Sequence, residues 1–489
     1  MKRILPIVLF MVSALSVQAQ QMKTGFEIKI KIKGYSGSKM YLVNYYADKE
    51  MVKDSAVTKD KKGFFVFSSQ TEPLPCGIYS AVNEEKNTKL FEFMVNTQEQ
   101  YFSMETDSVN ATDFMKVTGS EENKHFYEYQ KFIGERGMNI YHAQEGLKRV
   151  GKTNPDSVAI YRGIIEKLQT EINDYRLDFM EKYPTSLTTR VFRMIKDVDV
   201  PEAPKNPDGT TDSLFAFRYY KTHFWDNVDF TEDCLLRTPI FYKKVERYIK
   251  DLTLQIPDSI TATADVLIAK VRHLPEMFHY VVWWVTMDYE RSQYMCMDAV
   301  PVYMWKTYYN WPEAYWVDST SMSRIKDREK VLSKLLCGKV TPNLVMRDTS
   351  NTARELHKVK AKYTVLVFWD PDCSHCRKEL PKIKKTYDEL KQYGVEVYAV
   401  NVEGDIEKWK KFINDNKLDW INVIDPYHLT NFRYIYDINS TPIIYLLDEN
   451  KKIVAKKMGG AQLDDILRNE LKLPAKPADP NDKDDHHTP

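Results

Sequence analysis

Cys373-Ser374-His375-Cys376 is the stretch of this chain whose residue types and spacing bear most directly on chemistry. Two cysteines separated by two residues can close a small disulfide ring or supply half of a zinc site. The apolar run Tyr363-Thr364-Val365-Leu366-Val367-Phe368-Trp369 precedes the pair, and a Lys-rich helical segment follows it. The first sulfur therefore stands at a helix start, where unpaired backbone N–H groups and the helix dipole favour a thiolate. A thiolate is the nucleophile of thiol–disulfide exchange. His375 lies between the sulfurs. An imidazolium or ring N–H close to sulfur favours the thiolate, stabilises the reduced form and raises the reduction potential. The alternative is an exposed helix-start histidine of little effect. A structural zinc site takes four ligands. The chain has no second CxxC and no His pair at finger spacing, so no metal is expected.

A strand over 364–369 and a helix over about 374–392 must position the pair, with Pro381 placed to kink that helix. Strand 395–400, a helix around 405–416, a short strand 418–424 and a helix around 427–436 follow. Strands 443–447 and 452–457 flank the Asp448-Glu449-Asn450 turn, and a last helix covers about 461–471. Strands alternating with helices imply a largely parallel sheet with an antiparallel edge. Its carboxyl edge, where the CxxC falls, is where such sheets build sites. Ser440-Thr441-Pro442 leads into strand 443–447, and its X-Pro bond is a candidate cis peptide.

Upstream, the period changes twice. Phe26-Glu27-Ile28-Lys29-Ile30-Lys31-Ile32-Lys33 alternates apolar and charged residues, as a half-buried strand does. Short strands at 40–46, 63–67, 77–81 and 89–95, separated by turn residues, fit a small antiparallel sandwich over 20–118. From 121 to 335 the spacing is helical, as in Phe126, Tyr129, Phe132 and Ile133, or Ile160, Ile164, Leu168 and Ile172. Asn154-Pro155-Asp156 and Ile256-Pro257-Asp258 punctuate helix starts. Aromatics crowd 280–316, either as helix-packing core or as a groove for a peptide or glycan. From 475 the chain is rich in Pro and charge and is expected to be disordered, with His486-His487 solvated.

Lys2 and Arg3, the apolar run Ile4–Val17 and the small-residue site Val17-Gln18-Ala19 read as a secretory signal over 1–19. No cysteine lies near the cleavage site, so no lipid anchor is expected. The densest later apolar run, 278–285, is too short to span a membrane. Net charge is +1, which gives no argument for nucleic acid. The length of 489 residues suggests about two to four domains, and six cysteines are too few for a disulfide scaffold. Cys76, Cys234, Cys296 and Cys337 stand singly; a bridge such as Cys296–Cys337 is possible, but spacing does not fix connectivity.

The run Val367-Phe368-Trp369-Asp370-Pro371-Asp372-Cys373-Ser374-His375-Cys376, with Pro381 and Thr441-Pro442, resembles a thioredoxin-fold domain of the envelope-exported type. It is similar to the ResA and TlpA thiol–disulfide oxidoreductases, and covers 338–474. The pieces at 405–424 correspond to the insertion of that branch. The upstream regions resemble domains of unknown function in secreted Bacteroidota proteins. The resemblance implies that Cys373 attacks a substrate disulfide and that Cys376 resolves the mixed disulfide. The redox-active disulfide Cys373–Cys376 would serve in place of any cofactor. Trp369, Thr441 and Pro442 become the expected substrate-binding residues, Thr441 through its backbone and Pro442 by packing on the disulfide. Partners would be protein or peptide disulfides and dithiols, with a membrane thiol donor if the direction is reductive. The chain departs from thioredoxins at Val367, where a buried acid is common, so the proton of Cys376 needs water or another group. Glu403 is the candidate tuning residue beside His375. Two other readings stay open: a peroxidase of the peroxiredoxin type, though Asp370-Pro371-Asp372-Cys373 lacks its Thr, and a binding protein with an accessory redox domain.

Overall fold

The computed structural model describes residues 24–57, 60, 62–85, 88–151 and 154–476. The expected signal segment 1–19 lies outside the described residues, as do 477–489 with His486 and His487. Lys476, inside the expected tail, is held by Asp464 and Glu389. The chain divides into two compact units, Met1–Glu246 and Arg247–Pro489. The division falls inside the helical stretch 121–335.

In the first unit, strands β1 (Phe26–Lys33), β2 (Met40–Tyr46), β3 (Lys49–Ala56), β4 (Phe65–Ser69), β5 (Gly77–Val82), β6 (Lys89–Val95), β7 (Tyr101–Asp107) and β8 (Lys116–Thr118) form two sheets. Their orders are β4-β1-β7-β8 and β3-β2-β5-β6. Alternation in β1 buries Ile28 and Ile30 and leaves Lys29 and Lys31 half-buried. Phe93 of β6 meets Phe102 of β7 edge-on at 5.9 Å, joining the two sheets' apolar faces. One pairing corrects the antiparallel expectation: β1 and β7 run parallel. The chain visits the second sheet through β5 and β6 before β7 returns, so β7 arrives alongside β1 in the same direction.

Helices α1 (Glu121–Val150), α2 (Pro155–Lys182), α3 (Leu187–Ile195), α4 (Phe215–His223) and α5 (Phe241–Glu246) complete this unit. Ser120 and Asn154 cap α1 and α2 through Asn123 N–H and Ser157 N–H, and Pro155 opens α2. The Ile160–Ile172 row is helical as expected, yet Ile160 and Ile164 stay exposed. Packing is carried instead by Tyr129, Phe132, Tyr175, Phe179 and Phe192. A Cys76–Cys234 disulfide ties the edge of β5 to the turn at 233–237. The neighbouring Gly77 has φ +153, and a Cβ there would stand 2.3 Å from the Cβ of Arg237, so only glycine fits.

The second unit begins with helices α6 (Pro257–Val271), α7 (Pro275–Glu290), α8 (Ala299–Tyr308) and α9 (Ser319–Leu332). Part of the aromatic-rich stretch is core, with Tyr289, Trp305, Tyr308 and Tyr309 buried. Trp283, Tyr294, Trp311 and Tyr315 are exposed. A cavity of about 480 Å³ opens among Trp283, Trp305, Tyr309 and Trp316.

The α/β part of this unit comprises β9 (Val345–Asp348), β10 (Ala353–Glu355), β11 (Tyr363–Trp369), α10 (Ser374–Leu390), β12 (Val395–Asn401), α11 (Ile406–Asp415), β13 (Ile421–Ile424), α12 (Phe432–Ile435), β14 (Ile443–Leu447), β15 (Ile453–Lys456) and α13 (Gly460–Glu470). The sheet order is β10-β9-β13-β12-β11-β14-β15; only β13, β12 and β11 run parallel, and both edges, β10-β9 and β14-β15, are antiparallel, which corrects the largely parallel sheet expected. It is a thioredoxin-like fold with the inserted α11 and β13. The helix expected over 427–436 is corrected to one turn. Asp425 accepts from Leu429 N–H, Thr430 N–H and Thr430 Oγ1, and His428 and Asn431 take positive φ, which holds the chain as a loop up to Phe432. A Cys296–Cys337 disulfide flanks Asp298 and Leu335, whose carboxylate and carbonyl both engage the buried Lys456 of β15.

Candidate functional site

Strand β11 is buried along its whole length between β12 and β14. Its end delivers the chain through Asp370-Pro371-Asp372 to Cys373, the N-cap of α10. There the Cys373 sulfur accepts from Cys376 N–H at 3.4 Å, replacing the side-chain oxygen of an ordinary cap. A tight turn precedes it: Cys373 N–H donates to the Asp370 carbonyl and Asp372 N–H to Asp370 Oδ1. Arg377 Nε donates to the Pro371 carbonyl at 2.7 Å, pinning the turn to the first helical turn of α10. Pro381 lies inside α10, which continues through it.

The two thiols are free and differ in environment. Cys373 is half-buried and Cys376 fully buried. Across from them the Thr441-Pro442 bond is cis, and Cys373 Sγ donates to the Thr441 carbonyl at 3.3 Å. Burial pushes the Cys373 thiol up. Hydrogen bonds with the Thr441 and Cys376 side chains and the Cys376 and His375 backbone outweigh it, leaving Cys373 below its ordinary value. Burial pushes Cys376 up to about 12, against a backbone hydrogen bond from Asp370. The half-buried sulfur gives up its proton more readily than an ordinary cysteine, while the fully buried one holds it.

Of the other residues expected here, His375 is exposed in the first turn of α10, and Thr441 and Pro442 are half-buried beside Cys373. Trp369 is fully buried and packs on Phe412 of α11 at 5.0 Å, in the same cluster as Cys376. As the last residue of a strand covered on both faces, it is a wall behind the pair, out of reach of a substrate. Glu403 is exposed and pairs with Arg433 Nη2 at 2.9 Å. Val367 and its register partner Ala399 are both buried and apolar, so neither supplies an acid. Sequence reasoning passed over Asn401, the register partner of Trp369, which is buried with both amide atoms unpartnered. A polar residue ending an otherwise apolar strand was its one signal.

Residues 337–456 match the AhpC/TSA family, and residues 26–126 match a domain of unknown function, DUF4369. A thiol-disulfide oxidoreductase ResA of Bacillus cereus is 31% identical over 126 residues, which is 26% of this chain and 72% of the relative. ResA of Bacillus subtilis is 31% identical over 138 residues, covering 28% and 74%. A crystal structure of a domain of a possible thiol-disulfide isomerase from Cytophaga hutchinsonii is 46% identical, covering 29% of this chain and 96% of that one, with a TM-score of 0.28.

Proposed function

This chain belongs to the family of the ResA thiol–disulfide oxidoreductases, and we propose that it exchanges disulfides with polypeptide substrates outside the cytoplasm through Cys373 and Cys376. The observation that carries this reading is the asymmetry of the two sulfurs, one half-exposed and lowered, the other buried and raised. The Cys373 thiolate attacks one sulfur of a substrate disulfide, and the other substrate sulfur leaves as a thiolate and is protonated. The mixed disulfide is then resolved when Cys376 bonds to Cys373 and the second substrate thiol departs. Run in reverse, the same steps oxidise a dithiol.

Thr441 stands where its backbone would pair with the substrate chain, and Pro442 where it would pack on the exchanging sulfurs. His375, exposed one residue before Cys376, would stabilise the Cys373 thiolate and so raise the potential. Export is supported by Lys2, Arg3 and the apolar run Ile4–Val17. It is also supported by the two disulfides outside the redox pair, which persist in oxidising compartments. Among the described residues no helix is long and apolar enough to cross a membrane.

Insulin or mixed-disulfide reduction, with Cys373→Ala as the control, tests the pair: unchanged turnover in that variant would sink it. The direction follows from the potential of the couple. A value near about −270 mV assigns a reductase and one near about −120 mV an oxidant. Consumption of peroxide by Cys376→Ser protein would favour the peroxidase reading instead.

A further inference from the structure

Helices α7 and α9 form opposite walls of the cavity of about 480 Å³. From α7 come Trp283, Thr286, Met287 and Glu290. From α9 come Ser321, Arg324, Ile325 and Arg328. Both sets repeat at i, i+3, i+4 and i+7, so each helix gives one face as a wall two turns long, about 10 Å. Helix α8 packs against both and supplies the floor through the buried Trp305 and, just past its end, Tyr309. The cavity is thus a groove whose length suits about three residues of extended chain.

One charge in the groove is left over. Asp318 caps α9, accepting from Ser321 N–H and Ser321 Oγ. Glu290 pairs with Arg328. Among the described residues no acid pairs with Arg324, which is exposed on the wall between Asp318 and Arg328. Trp283, on the opposite wall, is exposed as well. An occupant that complements these walls brings a carboxylate for Arg324 and an aromatic side chain for Trp283. The groove also runs towards the redox pair. Arg328, at its end, reaches Asp437 at 3.8 Å. Asp437 accepts from Asn439 Nδ2 and stands four residues before Thr441, whose carbonyl accepts from Cys373 Sγ. Four residues of chain span at most about 14 Å.

We propose that the groove between α7 and α9 docks the polypeptide substrate, taking an acidic residue next to an aromatic one about four residues from the exchanging cysteine. This docking rests on the Cys373–Cys376 reading above and gives that pair its substrate class. The acidic side chain pairs with Arg324 and the aromatic one lies on Trp283. The intervening residues follow the 437–441 loop to Thr441. The groove holds the substrate without touching the sulfurs, so it acts on KM and leaves the exchange step as it is.

The test gives the full-length protein disulfide peptides that carry Phe-Glu or Ala-Gln about four residues from the cysteine. The Phe-Glu peptide should be preferred at least about tenfold in kcat/KM, through KM, the scale of a docking hot spot. Arg324→Glu should lose most of that preference and regain it towards a Phe-Lys peptide. Trp283→Ala should lose the preference for Phe over Ala. Glutathione disulfide, too short to reach the groove, should be exchanged at one rate by all three proteins. Equal turnover of the two peptides by the unsubstituted protein overturns the proposal. So does an Arg324→Glu protein that the Phe-Lys peptide fails to rescue, or whose glutathione exchange falls by the same factor, since Arg324 then acts on the fold or on the redox pair. Binding is read separately, by tryptophan fluorescence with a cysteine-free Phe-Glu peptide. Binding weakened about tenfold by Arg324→Glu supports the groove, and binding unchanged in that variant overturns it. Should the unsubstituted protein fail to exchange glutathione disulfide, the exchange reading alone falls, and the binding measurement still decides the groove.

Discussion

Cys373→Ala should abolish exchange, whereas Cys376→Ser should accumulate the mixed disulfide, which mass spectrometry of trapped adducts would detect. Alkylation of Cys373 against pH should give a midpoint below the free-cysteine value of about 8.5. Cys376 has the opposite sign. Its folded-state value of about 12 lies above the unfolded one of about 8.5, so the proton it retains stabilises the reduced fold fully below the lower value. That contribution is lost as pH rises towards the upper one. The reduced protein should therefore lose stability over that range more steeply than Cys376→Ala, as read from denaturant midpoints. Trp369→Ala should cost about 3–5 kcal/mol of folding stability, as for a fully buried aromatic. A mere rise in KM with unchanged stability would return Trp369 to the substrate surface. The CxxC and Thr441-Pro442 were legible in the sequence because each is a local signature. The full burial of Trp369 was not legible, because periodicity does not say which groups at a strand end turn inward. Asn401 escaped notice because its isolation appears only once three strands and α11 are assembled around it.

The elements that carry the site are held by backbone proximity as well as by apolar area. Helix α13 begins against α10, where Gly460 N–H donates to Glu379 and a Cβ on Gly460 would stand 2.8 Å from the Cβ of Lys382. Gly460→Ala should push the two helices apart and cost about 1–3 kcal/mol, measured by equilibrium unfolding. The sequence made β11, α10, β12 and β14 plain, since each pairs a clear period with a turn or a helix start. Strands β9 and β10 were not legible: they are short and partly exposed, and the strand that ties their hairpin to the sheet, β13, lies far along the chain. The overlong helix at 427–436 had a helical pattern, but the Asp425 side chain competes for the backbone N–H groups that a helix needs.

At the scale of the molecule, each compact unit carries its own disulfide. Cys76–Cys234 closes a separation of 158 residues in the first unit and Cys296–Cys337 one of 41 in the second. Chain entropy assigns them about 5 and about 4 kcal/mol, so replacing either pair with Ser should destabilise its own unit by several kcal/mol in denaturant titrations. A smaller loss for the longer loop would point to residual structure in the unfolded first unit. Spacing alone could not pair these cysteines, because the contact that decides each partner is made by distant elements. The Cys296–Cys337 bridge also bears on how the protein can be handled at the bench. Its sulfurs are half-buried, unlike those of Cys76 and Cys234. A small-thiol reagent used to recharge the CxxC would open this bridge too and slacken the two loops that grip Lys456, two strands from β11. Activity that decays under excess dithiothreitol would then report a loosening scaffold rather than a spent catalyst. A protein electron donor, too bulky to reach these half-buried sulfurs, should sustain turnover without the decay.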